Sequence, residues 1–309
     1  MIWILFSLMT CNTPVLLFFS SIVWIRLNMT ISFHVRILRP DEIHIPIEWA
    51  RDEGWNPGVH DADCHYSSDP DGWLCAEKDD EIIGVAVATN YDETFSFGGF
   101  YIVREEYRNH GVGWDLMKAV YLHIGGRNFG IDGVFEMQDK YSASMGMKYA
   151  YRNIRWQGIS TGVEQPDLIR ATDVPFNALL TYDTAHFPVQ RSVFLKQWIR
   201  QPEGVALLKL DQNEKITGYG VIRRCYEGHK IGPVFADSPD IADEIFEGLT
   251  ATVPGETIFF DTPEPNVSAI QMAQKRSMTE VFGTARMYSQ EIPKLPIHEI
   301  FGVTTFELG

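Results

Sequence analysis

The chain has 309 residues, which exceeds what one hydrophobic core usually covers, so we expect two domains. With 45% hydrophobic and 22% charged residues, its composition is that of a globular protein, and the formal net charge of −15 argues against nucleic acid or an anionic lipid surface as the main partner. The four cysteines are scattered without metal-type or disulfide-type spacing, so we expect a reducing compartment and no bound metal.

Residues 2–25 contain no charged side chain and form a run long enough to span a bilayer. No basic residue precedes this run, whereas a cleaved signal peptide normally has one. Two interpretations stay open: a single-pass anchor with Arg26 on its cytosolic flank, or an over-extended translation start covering residues 1–28 before Met29. In both cases we expect the globular part to be cytoplasmic, with membrane contact only if residues 2–25 are a real anchor.

Regular elements are expected from residue 33 onward. Alternating apolar residues predict a strand over 33–38, and a proline followed by two acids predicts a helix that begins at residue 40. Two apolar segments on either side of a polar turn predict a β-hairpin over 72–88. Further elements follow in this order: a strand over 95–103, a helix from 112, a strand over 130–138, a helix over 139–148 and a strand over 149–157.

Two loops in this part of the chain carry side chains of interest. Trp55 and Asn56 lie on the turn-rich loop 53–58 and are candidates for lining a substrate site, although a tryptophan that merely caps the helix end is an equal alternative. The acids, histidines and cysteine of residues 60–65 fit no zinc spacing, so we expect a solvated loop there.

The glycine-rich stretch 107–114 (YRNHGVGW) lies where a predicted strand leads into a predicted helix. The first N–H groups of a helix lack partners and its dipole is positive there, which favours anion binding. Gly111 and Gly113 let the backbone approach a phosphate without an intervening Cβ. A P-loop does not fit because Trp114 follows the second glycine, and a dinucleotide fingerprint does not fit because residue 116 is Leu. An ordinary glycine-rich turn is the remaining alternative.

The pattern Arg108-x-x-Gly111-x-Gly113 resembles the acyl-CoA pyrophosphate loop of the GNAT (GCN5-related) N-acetyltransferases. The predicted order β-α-β-β-β-α-β-α-β over residues 33–158 is also the order expected of that fold. The resemblance implies acetyl-CoA as co-substrate, an amine as acceptor, and pantetheine contacts from the backbone of Tyr101 and Val103. It further implies that the pyrophosphate is held, with Arg108 at the head of the loop, by the backbone of Asn109, His110, Gly111, Val112, Gly113 and Trp114.

The second half of the chain repeats the pattern of the first. A hairpin is predicted over 204–222, and a strand, a helix and a strand are predicted over 257–261, 266–276 and 281–288. In place of the glycine loop stands 236–242 (ADSPDIA), which has no glycine and whose two carboxylates would repel a pyrophosphate. The chain therefore resembles the tandem-GNAT proteins in which one lobe binds acetyl-CoA.

We accordingly predict an α/β protein made of two tandem GNAT-like lobes, each with a mixed sheet flanked by helices. The predicted divisions are a hydrophobic segment over 1–28, an acetyl-CoA-binding domain over 29–158, a linker over 159–170, and a second lobe without the cofactor loop over 171–309.

The resemblance also supplies catalytic candidates. Glu136 is the candidate general base, since apolar neighbours would raise its pKa, although a solvent-facing strand Glu is equally compatible. Tyr141 is the candidate general acid, with Tyr149 and Tyr151 as alternatives. The predicted activity is acetyl transfer from acetyl-CoA to an amine by direct attack in a ternary complex. A non-catalytic acyl-CoA-binding protein is the alternative, and the acceptor, the acyl preference and the oligomeric state stay open.

Overall fold

The computed structural model describes residues 31–309; the side chains of Glu136, Lys140 and Ser144 are outside the description as well. The hydrophobic run 2–25, interpreted above as an anchor or an over-extended start, lies outside the described residues. Within residues 31–309, no helix combines the length and apolar character needed to cross a membrane. Residues 32–309 form one compact unit.

Apart from α2, the part of the chain up to residue 159 has the predicted order of strands and helices, and the α/β class is confirmed. The helices are α1 (His44–Asp52), α2 (Asp61–Tyr66), α3 (Val112–Ile124), α4 (Gln138–Met145), α5 (Phe176–His186), α6 (Ser192–Trp198), α7 (Pro239–Thr250) and α8 (Val267–Lys275). The strands of the N-terminal half are β1 (His34–Ile37), β2 (Trp73–Lys78), β3 (Glu81–Asn90), β4 (Phe95–Val103), β5 (Asn128–Val134) and β6 (Lys148–Ile159). Those of the C-terminal half are β7 (Leu168–Arg170), β8 (Gly204–Leu210), β9 (Ile216–Arg224), β10 (His229–Ala236), β11 (Thr257–Pro263), β12 (Thr279–Tyr288) and β13 (Ile300–Gly302).

All these strands belong to one mixed sheet. Its order is β1-β2-β3-β4-β5-β12-β6-β11-β10-β9-β8-β7, and β13 pairs with β10 outside that path. The last long strands of the two halves, β6 and β12, have therefore exchanged positions in the sheet. Strand β12 lies between β5 and β6, and β6 pairs with β11. Each half is completed by a strand of the other, an arrangement that the sequence pattern did not reveal.

Local sequence explains why the main elements form. Val112, Leu116, Val120 and Ile124 recur at helical spacing, and all four are buried on the face of α3 that covers the sheet. In the second half, the Ser238 side chain accepts a hydrogen bond from the backbone N–H of Ile241 at the start of α7. The two helices follow equivalent strands, α3 after β4 and α7 after β10, so they occupy equivalent places in the two halves.

Two sequence expectations about local structure are wrong. The strand expected over 130–138 ends at Val134, because residues Phe135–Met137 form one turn of 3-10 helix. The solvated loop expected over 60–65 is helix α2, in which Asp61 is 1% exposed and His65 is fully buried. The Asp61 carboxylate is buried because it pairs with Arg223 of the C-terminal half, with Nε–Oδ1 and Nη2–Oδ2 distances of 2.8 and 3.1 Å.

Candidate active site

A wedge opens between strands β4 and β5. The two strands pair in parallel from Phe95–Asn128 to Gly98–Ile131, and the pairing ends there although both strands continue. Strand β3 occupies the other edge of β4 as far as Val103. We call the gap between residues 99–103 of β4 and residues 132–134 of β5 the first wedge. In the part of the chain that the structure describes, no strand pairs with β4 along this gap.

Exposure of the wedge residues agrees with an open backbone edge. Asp132 is partly exposed as a residue although its side chain is fully buried, so the accessible part is its backbone. Tyr101 is 40% exposed on the opposite strand. Phe100, the residue before Tyr101 on β4, has φ 48° beside a register shift in the β3–β4 ladder, which marks a bulge in a strained backbone conformation. The wedge is therefore a built feature of β4 and not a frayed strand end.

The glycine loop leads from the mouth of the wedge into α3. Gly111 is the N-cap residue with φ 88°, and Asn109 also adopts a left-handed conformation with φ 67°. Both residues and His110 are exposed. A glycine offers no capping side chain, so the first N–H groups of α3 are left for water or an anion. The loop thus leaves the N-terminus of α3 exposed at the end of the strand that lines the wedge, and anion binding there stays a prediction.

Gly113 allows close packing of the Tyr101 side chain against the first turn of α3. An ideal Cβ at this position would overlap the hydroxyl oxygen of Tyr101 and lie 3.2 Å from its Cζ. The missing side chain therefore lets the Tyr101 ring lie against the helix start. This contact joins the wedge residue Tyr101 to the loop and brings together the two parts of the predicted cofactor site.

Arg108 does not point freely towards an incoming anion. Its Nε donates to the carbonyl of Val103 at 2.8 Å, and its Nη2 donates to Glu53 Oε1 at 3.0 Å. Both members of the ion pair are about 40% exposed, so the pair is weak and exchangeable. Trp114 is 59% exposed, and the Lys118 ammonium lies 5.7 Å from the centre of its ring.

The candidate acid lies next to the wedge. Tyr141 of α4 packs on β5, since an ideal Cβ at Gly133 would lie 2.5 Å from its Cε2. Burial raises the pKa of Tyr141 above its ordinary value, and the nearby Tyr101 hydroxyl raises it further. Of the alternatives, Tyr149 is exposed, whereas burial raises the pKa of Tyr151 well above the ordinary value. The backbone of Glu136 follows β5 in the 3-10 turn, and its side chain lies outside the description.

The structure gives Trp55 a contact within the N-terminal half and Asn56 a contact with the C-terminal half. The Asn56 amide donates to the carbonyl of Glu227 and accepts from the Glu227 N–H, both at 2.9 Å. The Trp55 carbonyl accepts from Arg155 Nη1 at 2.7 Å. These contacts give both residues a structural role, while lining of a substrate site stays a prediction for them.

A buried charge pair beside the wedge was not anticipated from the sequence. Asp132 of β5 accepts two hydrogen bonds from Arg286 of β12, at 2.8 Å from Nε and 2.5 Å from Nη2, and a third from Asn153 at 2.9 Å. Burial raises the pKa of Asp132, and Arg286 opposes that shift. The three donors occupy this carboxylate, so it fixes Arg286 and is not a free proton acceptor. A charged residue inside each of two apolar strands is the signal that could have revealed the pair.

The equivalent wedge of the C-terminal half is closed. Strands β10 and β11 pair in parallel from His229–Ile258 to Ile231–Phe260, and this pairing ends there although both strands continue. Strand β13 pairs with β10 at this edge, opposite Val234 and Phe235. We call this closed gap, between residues 232–236 and 261–263, the second wedge. The second half therefore lacks both the glycine loop and an open edge.

The mixed sheet, the wedge between the parallel strands β4 and β5, the glycine loop and helix α3 together define the fold of acyl-CoA N-acyltransferases. Family models agree: residues 38–135 match the Acetyltransferase (GNAT) family and residues 179–302 match an Acetyltransferase (GNAT) domain. The chain thus belongs to the GNAT acetyltransferases and carries two GNAT domains in tandem.

Individual proteins resemble the chain over most of its length. The holothin acyltransferase of Pseudoalteromonas sp. (strain SANK 73390) is 28% identical over 272 residues, covering 87% of this chain and 92% of that protein. A putative acetyltransferase from Pyrococcus horikoshii has a similar structure, with a TM-score of 0.75, 19% identity, and coverage of 90% and 96%. A tandem GNAT protein from the clavulanic acid biosynthesis pathway gives a TM-score of 0.57 at 9% identity, covering 84% of this chain and all of that one.

Proposed function

We propose that the protein is an N-acetyltransferase that moves an acetyl group from acetyl-CoA to an amine by direct attack in a ternary complex. The observation that carries the proposal is the open edge of β4 beyond Gly98, next to the exposed N-terminus of α3. Such an edge offers backbone N–H and C=O groups to the amides of a pantetheine arm, as it would to an added strand. The helix N-terminus offers its N–H groups to the pyrophosphate.

Tyr141, beside the wedge, has a property that the transfer requires. The amine nitrogen attacks the thioester carbonyl carbon, the C–N bond forms and the C–S bond breaks, and the leaving sulfur takes the proton of the Tyr141 hydroxyl, which solvent later restores. The raised pKa of Tyr141 keeps this hydroxyl protonated at neutral pH, as an acid must be. Before the attack, Glu136 takes one proton from the ammonium of the acceptor, and after the C–N bond has formed the nitrogen releases its second proton to solvent; the assignment to Glu136 rests on the family resemblance.

The test is acetyl transfer by the full chain to a panel of amines, followed as release of the CoA thiol. The panel includes holothin, because the holothin acyltransferase is similar to this chain over most of its length. Tyr141→Phe should lower kcat by about 10²-fold, a typical contribution of a general acid, while acetyl-CoA binding persists. Tyr149→Phe is the comparison, because Tyr149 is exposed and is one of the two alternative acids.

Each outcome has a defined meaning. Loss of turnover in Tyr149→Phe alone would move the acid role to Tyr149. Acetyl-CoA binding without turnover on any amine would favour the non-catalytic acyl-CoA-binding alternative. Absence of acetyl-CoA binding to the folded wild type would remove the proposal altogether.

A further inference from the structure

The C-terminal segment, residues 303–309, runs from the second wedge to the first. It begins directly after β13, where the Val303 N–H donates to the carbonyl of Asp261 at 2.9 Å. Arg191 Nη1 donates to the Thr304 hydroxyl at 3.0 Å, and the Tyr91 hydroxyl donates to the Leu308 carbonyl at 2.7 Å. All residues from 300 to 309 are buried. The segment is therefore held at several points along its length and is a fixed part of the structure.

This segment contacts the vertex of the first wedge, where β4 and β5 begin to diverge. An ideal Cβ at Gly99 would overlap the Glu307 carbonyl oxygen and lie 2.7 Å from the carbonyl carbon, so the two backbones touch. The next residue, Leu308, is fully buried in one cluster with Phe100 and Trp73. Gly99 is the first residue of β4 beyond the β4–β5 pairing. One face of the sheet is therefore closed by the C-terminal segment at the vertex.

The closed face has a consequence for the acyl group, given the proposed function on which this inference rests. The pyrophosphate lies at the loop, at the mouth of the wedge, so the acyl end of the donor points towards the vertex. We propose that the C-terminal segment forms the end wall of the acyl pocket and restricts the donor to short acyl groups such as acetyl and propionyl. A longer chain would have to displace Leu308 from a packed cluster in which it has no exposed surface.

The test measures binding of acetyl-, propionyl-, butyryl- and hexanoyl-CoA to the full chain by calorimetry. In the wild type, hexanoyl-CoA should bind at least about tenfold more weakly than acetyl-CoA, the loss that a pocket closed to extra methylenes can impose. Leu308→Ala opens the wall and should remove most of that difference. Leu308→Val is the milder variant and should shift the preference towards butyryl-CoA if the alanine variant does not fold.

Leu249→Ala is the matched control, since Leu249 is equally buried but belongs to the core under α7 in the C-terminal half. It should leave the acyl preference unchanged. Equal affinity of the wild type for acetyl- and hexanoyl-CoA would refute the proposed end wall. The proposal would also fail if both Leu308 variants had the same acyl-chain preference as Leu249→Ala. If acetyl-CoA itself does not bind, the proposed function fails first, and that result differs from uniform binding of all four donors.

Discussion

The buried pair between Asp61 and Arg223 should be a major contributor to the stability of the whole sheet. Both side chains are at most 2% exposed, and they belong to opposite halves of the chain. Asp61→Asn keeps the volume and removes the charge, which leaves the Arg223 guanidinium buried without its counterion. Breaking such a pair by removing one member costs about 3–5 kcal/mol. At about 2 °C per kcal/mol, suited to a unit of this size, the melting temperature should fall by about 6–10 °C.

Asp63→Asn is the control, because Asp63 lies on the same helix and is exposed. A surface change of this kind should alter the free energy of unfolding by less than about 0.5 kcal/mol. Differential scanning calorimetry of the three proteins at neutral pH gives the comparison. If Asp61→Asn melts within the experimental error of Asp63→Asn, the pair does not contribute as argued.

The pH dependence supplies an independent check on the same pair. Burial disfavours ionisation of Asp61, but the charge and the hydrogen bonds of Arg223, with smaller contributions from His65 and Lys230, together outweigh it, so the pKa lies below its ordinary value. A carboxyl group with a lowered pKa in the folded state contributes stability above its unfolded pKa, about 3.9, and loses it as pH falls through the folded pKa. The difference in melting temperature between wild type and Asp61→Asn should therefore be constant from pH 5 to 8, roughly, and shrink below about pH 4. A difference that grew on acidification would contradict the assigned charge state.

Three further predictions concern the cofactor site. Glu53→Gln should release Arg108 and strengthen acetyl-CoA binding at low salt by about 1.4- to 5-fold, which corresponds to the free energy of an exposed ion pair. The control Asp52→Asn, at the same end of α1, should leave the affinity unchanged. Weaker binding by Glu53→Gln would contradict the argument that Glu53 competes with the cofactor for Arg108. Gly111→Ala should lose about 1–2 kcal/mol of stability through its left-handed backbone. Gly255 has the same left-handed backbone and open surroundings, so Gly255→Ala should lose a similar amount of stability. It should keep acetyl-CoA binding, whereas Gly111→Ala should lose it. Calorimetric titration should give one bound acetyl-CoA per chain, because β13 closes the second wedge. Two binding sites per chain would refute closure of the second wedge by β13.

Local patterns in the sequence predicted the elements that local physics determines. The β2–β3 and β8–β9 hairpins, the strand before the glycine loop and the apolar face of α3 were all readable, because their signals repeat within a few residues. The glycine loop of the candidate cofactor site was also a local pattern, whereas Tyr101 and Val103 were implied by the family resemblance; the structure brings Tyr101 against Gly113. The strand expected to reach 138 ends at Val134, where the chain turns into a 3-10 helix that apolar content alone does not distinguish from a strand.

Features that depend on distant partners were missed. The charge of Asp61 suggested solvent, and the residue that makes its burial tolerable lies 162 positions away. The pattern of β12 identifies a strand but not its neighbours, so the exchange with β6 was not visible. Strand β13 and its closure of the second wedge were likewise unreadable, because three residues carry too little periodicity to specify a partner.

The exchange of β6 and β12 has a consequence for how the chain is made. When β6 leaves the ribosome, the strand that will separate it from β5 has not yet been translated, and residues 160–288 must follow. At roughly 5–20 residues per second this takes on the order of ten seconds. During that interval the nascent N-terminal half has no native neighbour for the facing edges of β5 and β6. A direct β5–β6 pairing in this interval would be a non-native strand pairing, which β12 must later displace. The speed of synthesis of the C-terminal half therefore becomes a determinant of the yield of folded protein.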